Sequence, residues 1–549
     1  MLNRLPASVY WTGLWTVLAA AALYARPPLP VDETRYLAVA WEMWLRQDFL
    51  VPHLNGETYS HKPPLLFWLM NLGWAIFGVN DWTPRLVAPL FGLASLFLTR
   101  SLARDLWPGN VRVHEMAPLI LLGFGFWTLF STLTMFDLML AFCTLLGLRG
   151  ILSAWRNGGL GGFLVLGFAI GLGALTKGPA ILLHLLPVAL LVPLWGRHLA
   201  AGPTAPLNGR GRWYLGILLS VVLGVAIGLA WAIPAGNAGG EAYRNAILWG
   251  QTAGRVVSSF AHQRPFWWYL AILPGLLLPM LAWPPLWRAL RNTTWGFGAG
   301  DQSDGGLRLC LIWFAAAFAV FSLISGKQLH YLLPEFPALA LIFAYALCNM
   351  TWMEEGFWGR AVPGMLTVAV GLIIFIIPVA SIIPREPEWF PLLENFWGLP
   401  VVALGLWLMV GRFDLPEPRV FKIVLAPAVI VIAVHLTAAP VLNAVYDLRP
   451  LARQLKDWQD QGIPLAYFGK YHGQYQFLGR LTKPIAIMGQ KPGQDEAFLG
   501  SNPNGRIIAY YKTLPTRAKP LVQYRFRQGI LAVWDAETMR IHPNLGNRR

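Results

Sequence analysis

Long runs of apolar residues recur along most of the chain and define its organisation. Most runs have roughly 18 to 22 nearly uncharged residues, which is enough to cross a hydrocarbon core of about 30 Å. They predict about thirteen membrane-spanning helices, near residues 7–25, 84–103, 116–132, 135–155, 160–176, 179–196, 213–233, 267–287, 307–325, 329–348, 361–383, 397–411 and 420–438. This pattern is typical of a polytopic α-helical membrane protein.

One apolar run, residues 64–78, is not counted as a span. It has only about 15 residues and begins with two prolines, so it predicts a helix lying in the membrane interface. With this run outside the membrane, most of the cationic loops fall on one side, which the positive-inside rule assigns to the cytoplasm together with the N-terminus. Those loops contain Arg100, Arg104, Arg156, Arg197, Arg210, Arg212, Arg288, Arg291, Arg308, Arg360, Arg412, Arg419 and Lys422.

The opposite side of the membrane receives the longer polar segments. These are the first loop, residues 26–83, the long loop 234–266, and the tail 440–549, which contains no predicted span. In the tail, Arg449–Gln461 has the pattern of an amphipathic helix, and short apolar runs then alternate with Gly and Pro. We therefore predict a transmembrane domain over 1–439, with interfacial helices in its first loop, and a small α/β domain over 440–549.

Composition and charge support the membrane interpretation. Hydrophobic residues make up 56% of the chain and charged residues 13%, and the 27 tryptophans suit bilayer interfaces. The net charge of +16 comes from dispersed loop residues without a dense basic run, so no nucleic-acid partner is expected. The first apolar segment lacks a small-residue cleavage site and is predicted to be a retained span. The three cysteines lie in or at the end of apolar runs and form no metal-binding or disulfide pattern.

The first loop contains the most concentrated titratable chemistry. Residues 32–35, Asp-Glu-Thr-Arg, begin a predicted helix whose apolar positions Leu37, Ala40, Trp41 and Trp44 share one face, which suits a membrane surface. Asp32 is placed to act as the N-cap of this helix. Two adjacent carboxylates are more than capping requires, however, and a desolvated carboxylate is a good proton acceptor. Asp32 and Glu33 are therefore both candidate catalytic bases, and the sequence does not choose between them.

The end of the same loop contains Tyr59, His61 and Lys62, followed by two prolines. One interpretation is a lysine that extends toward lipid headgroups. The functional interpretation is a lysine fixed by the Pro-Pro step and directed at a phosphate group.

Further candidates lie at the outer ends of later spans. Asp137 is a lone carboxylate near a span end, which either has a function or pairs with a neighbouring cation. Lys177 and Lys327 lie in tight outer turns, where a purely structural role is the alternative. The long loop adds Arg255, His262 and Arg264 beside an aromatic cluster, a set that suits phosphate binding. We therefore predict a substrate pocket, and the residues expected to line it are Arg35, Tyr59, His61, Asp137, Lys177, His262 and Lys327.

No nucleotide-binding or hydrolase motif is present: there is no Walker A loop, no GxGxxG after a strand and no GxSxG. No metal-ligand spacing joins the outer histidines, so no metal is predicted. An outward-facing enzyme without nucleotides needs a donor that arrives through the membrane, and a lipid-linked phosphosugar meets that need. A flippase or transporter is the rival class, and would place charges and broken helices at the bilayer midplane.

Several motifs, in order and spacing, resemble the GT-C glycosyltransferases of the ArnT and protein O-mannosyltransferase superfamily. They are DETRY, VPHLNGETYSHKPPL, FDLMLAF, LTKGP, HQRPFWWY and SGKQLHYLLPEFPALA, all within about residues 1–350. The chain differs from typical ArnT members at His61, where they often carry Glu.

The resemblance implies a fold, a reaction and site residues. It implies a GT-C fold and inverting transfer of a sugar from a polyprenyl phosphate. The expected sugar is 4-amino-4-deoxy-L-arabinose and the expected acceptor lipid A, with a protein or polysaccharide acceptor as the alternative. Asp32, with Glu33 beside it, then becomes the candidate for the catalytic base or for a carboxylate that positions the acceptor. Lys62, Arg255, Arg264 and Tyr331 become candidates for binding the donor phosphate. The enzyme is expected in a bacterial inner membrane with its site in the periplasm and no cofactor.

Overall fold

A computed structural model describes residues 6–199, 209–250, 263–295, 305–351, 355–379, 389–411 and 415–546. Helices dominate up to residue 441. In chain order they are α1 (Ala7–Ala25), α2 (Asp32–Arg46), α3 (Leu65–Phe77), α4 (Thr83–Leu106), α5 (Val111–Leu122), α6 (Gly125–Phe130), α7 (Phe136–Asn157), α8 (Leu160–Lys177), α9 (Ala180–Leu190), α10 (Val192–Trp195), α11 (Arg210–Gly239), α12 (Glu241–Asn245), α13 (Trp268–Leu276), α14 (Pro284–Asn292), α15 (Gly305–Leu323), α16 (Phe336–Asn349), α17 (Phe357–Ile376), α18 (Gly398–Leu408) and α19 (Pro416–Val441).

Within the described ranges, nine helical segments are long and apolar enough to cross a membrane, and the pair α9–α10, bent by 45°, makes a tenth. The three remaining predicted spans differ from expectation. Residues 116–132 divide into α5 and α6, residues 267–287 divide into α13, a 3₁₀ turn and α14, and residues 397–411 form only the 11-residue α18. The total of about thirteen spans therefore stays a prediction.

The two divided spans meet at their breaks. Leu278-Pro279 lies between α13 and α14, and Phe124 lies between α5 and α6. The amide of Gly125 donates to the carbonyl oxygen of Leu278 over 2.8 Å, and Phe124 forms an isolated bridge with Pro279. Backbone groups freed by a break inside an apolar bundle need such partners. The two breaks are therefore stabilised by contacts with each other.

The first loop folds into α2, a short hairpin of β1 (His53–Leu54) and β2 (Glu57–Thr58), and α3. Helix α3 covers the run predicted to be non-spanning, and at 13 residues it is a short apolar helix. The apolar face of α2 is buried against protein: Trp41 packs edge-on against Trp74 of α3 and against Phe477 of the tail. This corrects the expectation that the face lies on the membrane surface.

The tail forms helices α20 (Arg449–Asp460), α21 (Gln494–Ser501) and α22 (Ala536–Ile541) around a five-stranded sheet. The strands are β3 (Leu465–Phe468), β4 (Ala486–Met488), β5 (Arg506–Tyr511), β6 (Val522–Phe526) and β7 (Gly529–Asp535), in the order β4-β3-β5-β7-β6. The sheet confirms the predicted α/β tail. One hydrophobic core joins it to the first loop, through residues such as Tyr36, Trp74, Tyr475 and Ile485. The boundary predicted at 439/440, inside the last turn of α19, stays a prediction.

Candidate active site

The two adjacent carboxylates at the start of α2 point into different surroundings. Successive residues of a helix project about 100° apart, so one can face the protein while the next faces solvent. The side chain of Glu33 is 5% exposed, whereas that of Asp32 is 53% exposed. This difference separates two residues that the sequence left equivalent.

Glu33 is held by four hydrogen bonds. Arg26 donates to both of its carboxylate oxygens, and the amides of Leu29 and Thr134 donate to one oxygen each over 2.9 Å. Arg26 also donates to the carbonyl of Thr132. Burial alone would raise the pKa of Glu33, but the charge and hydrogen bonds of Arg26 overcome it and hold that pKa at about 2. Glu33 therefore ties α1, α2 and the start of α7 together as a permanent anion.

Asp32 is the first residue of α2, and Val31, with no side-chain capping bond, is its N-cap. The capping interpretation of Asp32 is therefore wrong. Its carboxylate instead forms an ion pair with Arg35, one turn along the helix. Arg35 lies 5.7 Å from the ring centre of Tyr36. Asp32 thus combines access to solvent with a nearby cation.

A second carboxylate, Asp137, lies at the start of α7 and gathers basic side chains from three parts of the chain. Lys177, at the end of α8, donates to it over 2.5 Å, and Nε2 of His330 lies 4.0 Å from the same oxygen. Lys177 also lies 4.7 Å from the ring centre of Tyr331. Nζ of Lys62 lies 5.4 Å from the ring centre of Phe136, within electrostatic reach of Asp137. The structure therefore brings together four predicted site residues that are far apart in the sequence, namely Lys62, Asp137, Lys177 and Tyr331.

Two tyrosines lie between the Asp32 and Asp137 centres. The phenol of Tyr36 is within electrostatic reach of both carboxylates, and burial first, then Asp32, raises its pKa above the usual value. Tyr59 is buried beside it, with its ring 5.4 Å from the exposed His61. Neutral phenols at this point can donate hydrogen bonds to an anion between the two centres.

Lys327 and Arg264 take part in a contact between two loops and not in the Asp137 centre. Lys327 is buried and donates to the carbonyls of Arg264 and Ile324 over 3.0 and 2.6 Å, so its ammonium group fastens one loop to the other. The side chain of Arg264 is exposed and lies 5.8 Å from the ring of Trp268. Arg255 and His262 fall outside the described residues. The roles assigned to these four residues stay predictions.

Sequence reasoning missed three residues of the site. His330 was not among the predicted site residues, yet it contacts the Asp137 centre, and its place beside Tyr331 was the available signal. Tyr36 stands in the DETRY motif, which was also an available signal. Arg26 carried none, since its role depends in part on a contact with Thr132. Within the described ranges, no group of three or more His, Cys, Asp or Glu side chains is arranged to hold a metal ion.

Comparison with known proteins gives three findings. A family model described as dolichyl-phosphate-mannose-protein mannosyltransferase matches residues 61–226. The undecaprenyl phosphate-alpha-4-amino-4-deoxy-L-arabinose arabinosyl transferase of Edwardsiella ictaluri is 29% identical over 436 residues, covering 74% of this chain and 73% of that protein. The protein of that name from Pseudomonas aeruginosa PAO1 is 29% identical over 392 residues, covering 69% of this chain and 66% of its own.

The structural comparison decides the fold. The crystal structure of ArnT from Cupriavidus metallidurans bound to undecaprenyl phosphate matches with a TM-score of 0.75 and 20% identity, covering 96% of this chain and 97% of that one. The chain has the GT-C fold of ArnT. The match confirms the predicted fold class, and the apolar helices of the described ranges agree with a multi-pass membrane protein.

Proposed function

We propose that the chain transfers a sugar, 4-amino-4-deoxy-L-arabinose, from undecaprenyl phosphate to lipid A. The observation that carries this proposal is the pairing of a half-exposed carboxylate, Asp32, with a cation-rich centre at Asp137 a few side chains away. The names of the relatives supply the sugar and the undecaprenyl phosphate carrier, and lipid A is the acceptor that the motif resemblance implies. The enzyme would lie in a bacterial inner membrane, with its N-terminus in the cytoplasm and this site and the tail in the periplasm.

The proposed reaction is a single displacement with inversion. An oxygen of the acceptor attacks the anomeric carbon, and the bond from that carbon to the phosphate oxygen breaks. Polyprenyl phosphate leaves with the bonding electrons, and a proton on the acceptor oxygen passes to Asp32. Lys62 and Lys177 stabilise the charge that develops on the departing phosphate, assisted by Tyr331 and, in our proposal, by Arg255 and Arg264. Glu33 takes no part, because its oxygens are already occupied and its pKa is about 2.

The test is sugar transfer by the purified full-length protein in nanodiscs, with mass spectrometry of the lipid product. Asp32→Asn removes the proton acceptor and should lower the rate by about 10²- to 10⁴-fold. Lys62→Ala should lower it by about 10²-fold or more, through weaker stabilisation of the leaving group. Glu57→Gln, an exposed carboxylate of the same loop, is the matched control and should leave the rate unchanged.

Several outcomes would count against the proposal. Asp32→Asn with the wild-type rate would remove the assigned base. A sugar appearing on protein or polysaccharide fractions and absent from lipid A would replace the acceptor and keep the chemistry. Movement of the donor lipid across the bilayer without any transfer would favour the rival flippase function.

A further inference from the structure

The sheet of the tail faces the first loop with the side at which strands β3 and β6 end. We call this side the edge of the sheet. Strands β3 and β5 are parallel, and the antiparallel pairs Tyr511–Ile530 and Phe526–Gly529 place the end of β6 at the same edge. The loop after β3, residues 469–474, and the turn after β6, residues 527–528, therefore leave the sheet on one side. That side faces α2.

The contact between this edge and the first loop is close. Nη2 of Arg527 donates to the carbonyl of Pro30 over 3.1 Å, two residues before Asp32. Gly473 has a φ of +73° and leaves so little room that an added Cβ would lie 3.1 Å from Cβ of Ala38 and 2.4 Å from Leu54. The requirement for glycine fixes the loop 469–474 against α2. The edge is thus held beside Asp32.

The edge is strongly cationic. Lys470, His472 and Arg527 project from it, and Arg35 faces them from α2; we call these four residues the domain-edge cluster. His472 is half-buried and within electrostatic reach of the other three and of Asp32. Burial, and after it the charges of Arg35 and Lys470, lowers the pKa of His472 below its usual value. The cluster therefore carries more positive charge than Asp32 balances.

The topology of the sheet independently marks this edge as a binding place. The chain passes from β3 to β4 on one side and then returns across β3 to β5 on the other. Open α/β sheets bind their ligands where the strand order reverses in this way, at the carboxyl ends of the parallel strands. The domain-edge cluster lies at those ends.

We propose that the domain-edge cluster binds a phosphate monoester on the headgroup of the acceptor lipid and positions it over Asp32. The donor phosphate has its own cations at the Asp137 centre, so the cluster is available to a second anion. Charge-assisted hydrogen bonds from Lys470 and Arg527 would hold the phosphate, because both side chains are exposed at the rim. The inference rests on the proposed function only for the identity of the acceptor.

The experiment measures binding without donor. The full-length protein in nanodiscs is titrated with fluorescent diphosphorylated lipid A and with the same lipid after phosphatase treatment. We expect the wild type to favour the phosphorylated lipid by about tenfold or more, and the Lys470→Ala/Arg527→Ala variant to lose most of that preference. Arg540→Gln removes a cation at the opposite end of the sheet, just beyond the end of β7, and should keep the full preference.

The arms separate the alternatives. Competition by excess inorganic phosphate supports recognition of the phosphate itself, whereas competition by the dephosphorylated lipid alone would overturn the proposal. An unchanged preference in the double variant, with the thermal midpoint of unfolding also unchanged, would overturn it as well. His472→Asn provides a milder variant should the double variant fold poorly.

Transfer kinetics distinguish this proposal from the proposed function. Lys62→Ala should bind the phosphorylated lipid normally while losing transfer. The Lys470→Ala/Arg527→Ala variant should raise KM for the acceptor by about tenfold, with little change in kcat or in KM for the donor. A wild type that binds the phosphorylated lipid but transfers no sugar would refute the function and leave the site in place.

Discussion

The molecule contains two neighbouring carboxylate–arginine pairs, Asp32–Arg35 and Glu33–Arg26. Their acids are adjacent in the sequence, yet the two pairs have opposite surroundings. Glu33 is buried and receives four hydrogen bonds, so neither oxygen is left for a substrate. Asp32 is half-exposed and adjoins a cationic surface. A second buried pair, Arg419 and Glu355, lies near the start of α19, where Trp283 also donates to Oε1 of the acid over 2.7 Å. Burial with a paired arginine is thus common to Glu33 and Glu355, and Asp32 differs from both in its exposure beside excess cations.

The largest expected effect concerns the stability of the buried pair. Glu33→Gln leaves the guanidinium of Arg26 buried without its counter-ion and should cost about 3–5 kcal/mol of folding free energy. The measurement is the midpoint of thermal or denaturant unfolding in detergent. Asp32→Asn is the matched control and should keep the wild-type midpoint. Equal midpoints for Glu33→Gln and Asp32→Asn would contradict the assignment of the Arg26–Glu33 pair as the more important one for stability.

Lowering the pH should also weaken the Arg26–Glu33 pair, with a smaller loss of stability than the Glu33→Gln substitution. Because the pKa of Glu33 is lowered to about 2 from its ordinary value of 4.5, its contribution is fully present above pH 4.5 and is lost as pH falls toward 2. Between about pH 5 and pH 3 this residue alone should cost about 2 kcal/mol of stability. Denaturant titrations at several pH values would measure the slope. Asp32→Asn should retain the slope, and a slope that depends on Asp32 would contradict the assignment.

The smallest effect on stability is expected at the exposed pair. Arg35→Gln should change the free energy of unfolding by less than about 1 kcal/mol, because Asp32 remains hydrated when its partner is lost. It should nevertheless slow transfer by about tenfold, by removing one cation beside the reacting groups. Unfolding midpoints and transfer rates of the same preparations provide the two readouts. A large loss of stability with normal transfer would reverse the roles of the pairs.

Much of the fold was predictable from periodicity and punctuation. The apolar runs of the tail, at 464–468, 485–488, 506–511, 521–526 and 530–534, predict its five strands to within one residue at either end, because Gly and Pro separate the runs clearly. Breaks inside apolar runs were missed, since hydropathy averages over Gly123 and over Pro279 and the prolines that begin α14. The long loop was expected to begin at residue 234, but α11 continues through Pro234 to Gly239 although proline and glycine usually end a helix.

The site was predictable in part. Charged residues at the predicted outer ends of spans, such as Asp137 and Lys177, were expected to share a pocket and do meet. The choice between Asp32 and Glu33 was not predictable, because it depends on the amide of Thr134, 101 positions along the chain. No local pattern records such a contact. The catalytic and binding roles themselves stay predictions until variants are assayed.

The shared core of the first loop and the tail has a consequence for biosynthesis. Nε1 of Trp41 donates to the carbonyl of Leu481, a residue synthesised 440 positions later. At about 5–20 residues per second, the ribosome needs roughly 20–90 s to supply that partner. During this interval the apolar face of α2 has left the ribosome, but the protein surface that will cover it does not yet exist. The part of the chain that carries Asp32 is therefore among the first to be made and the last to be completed.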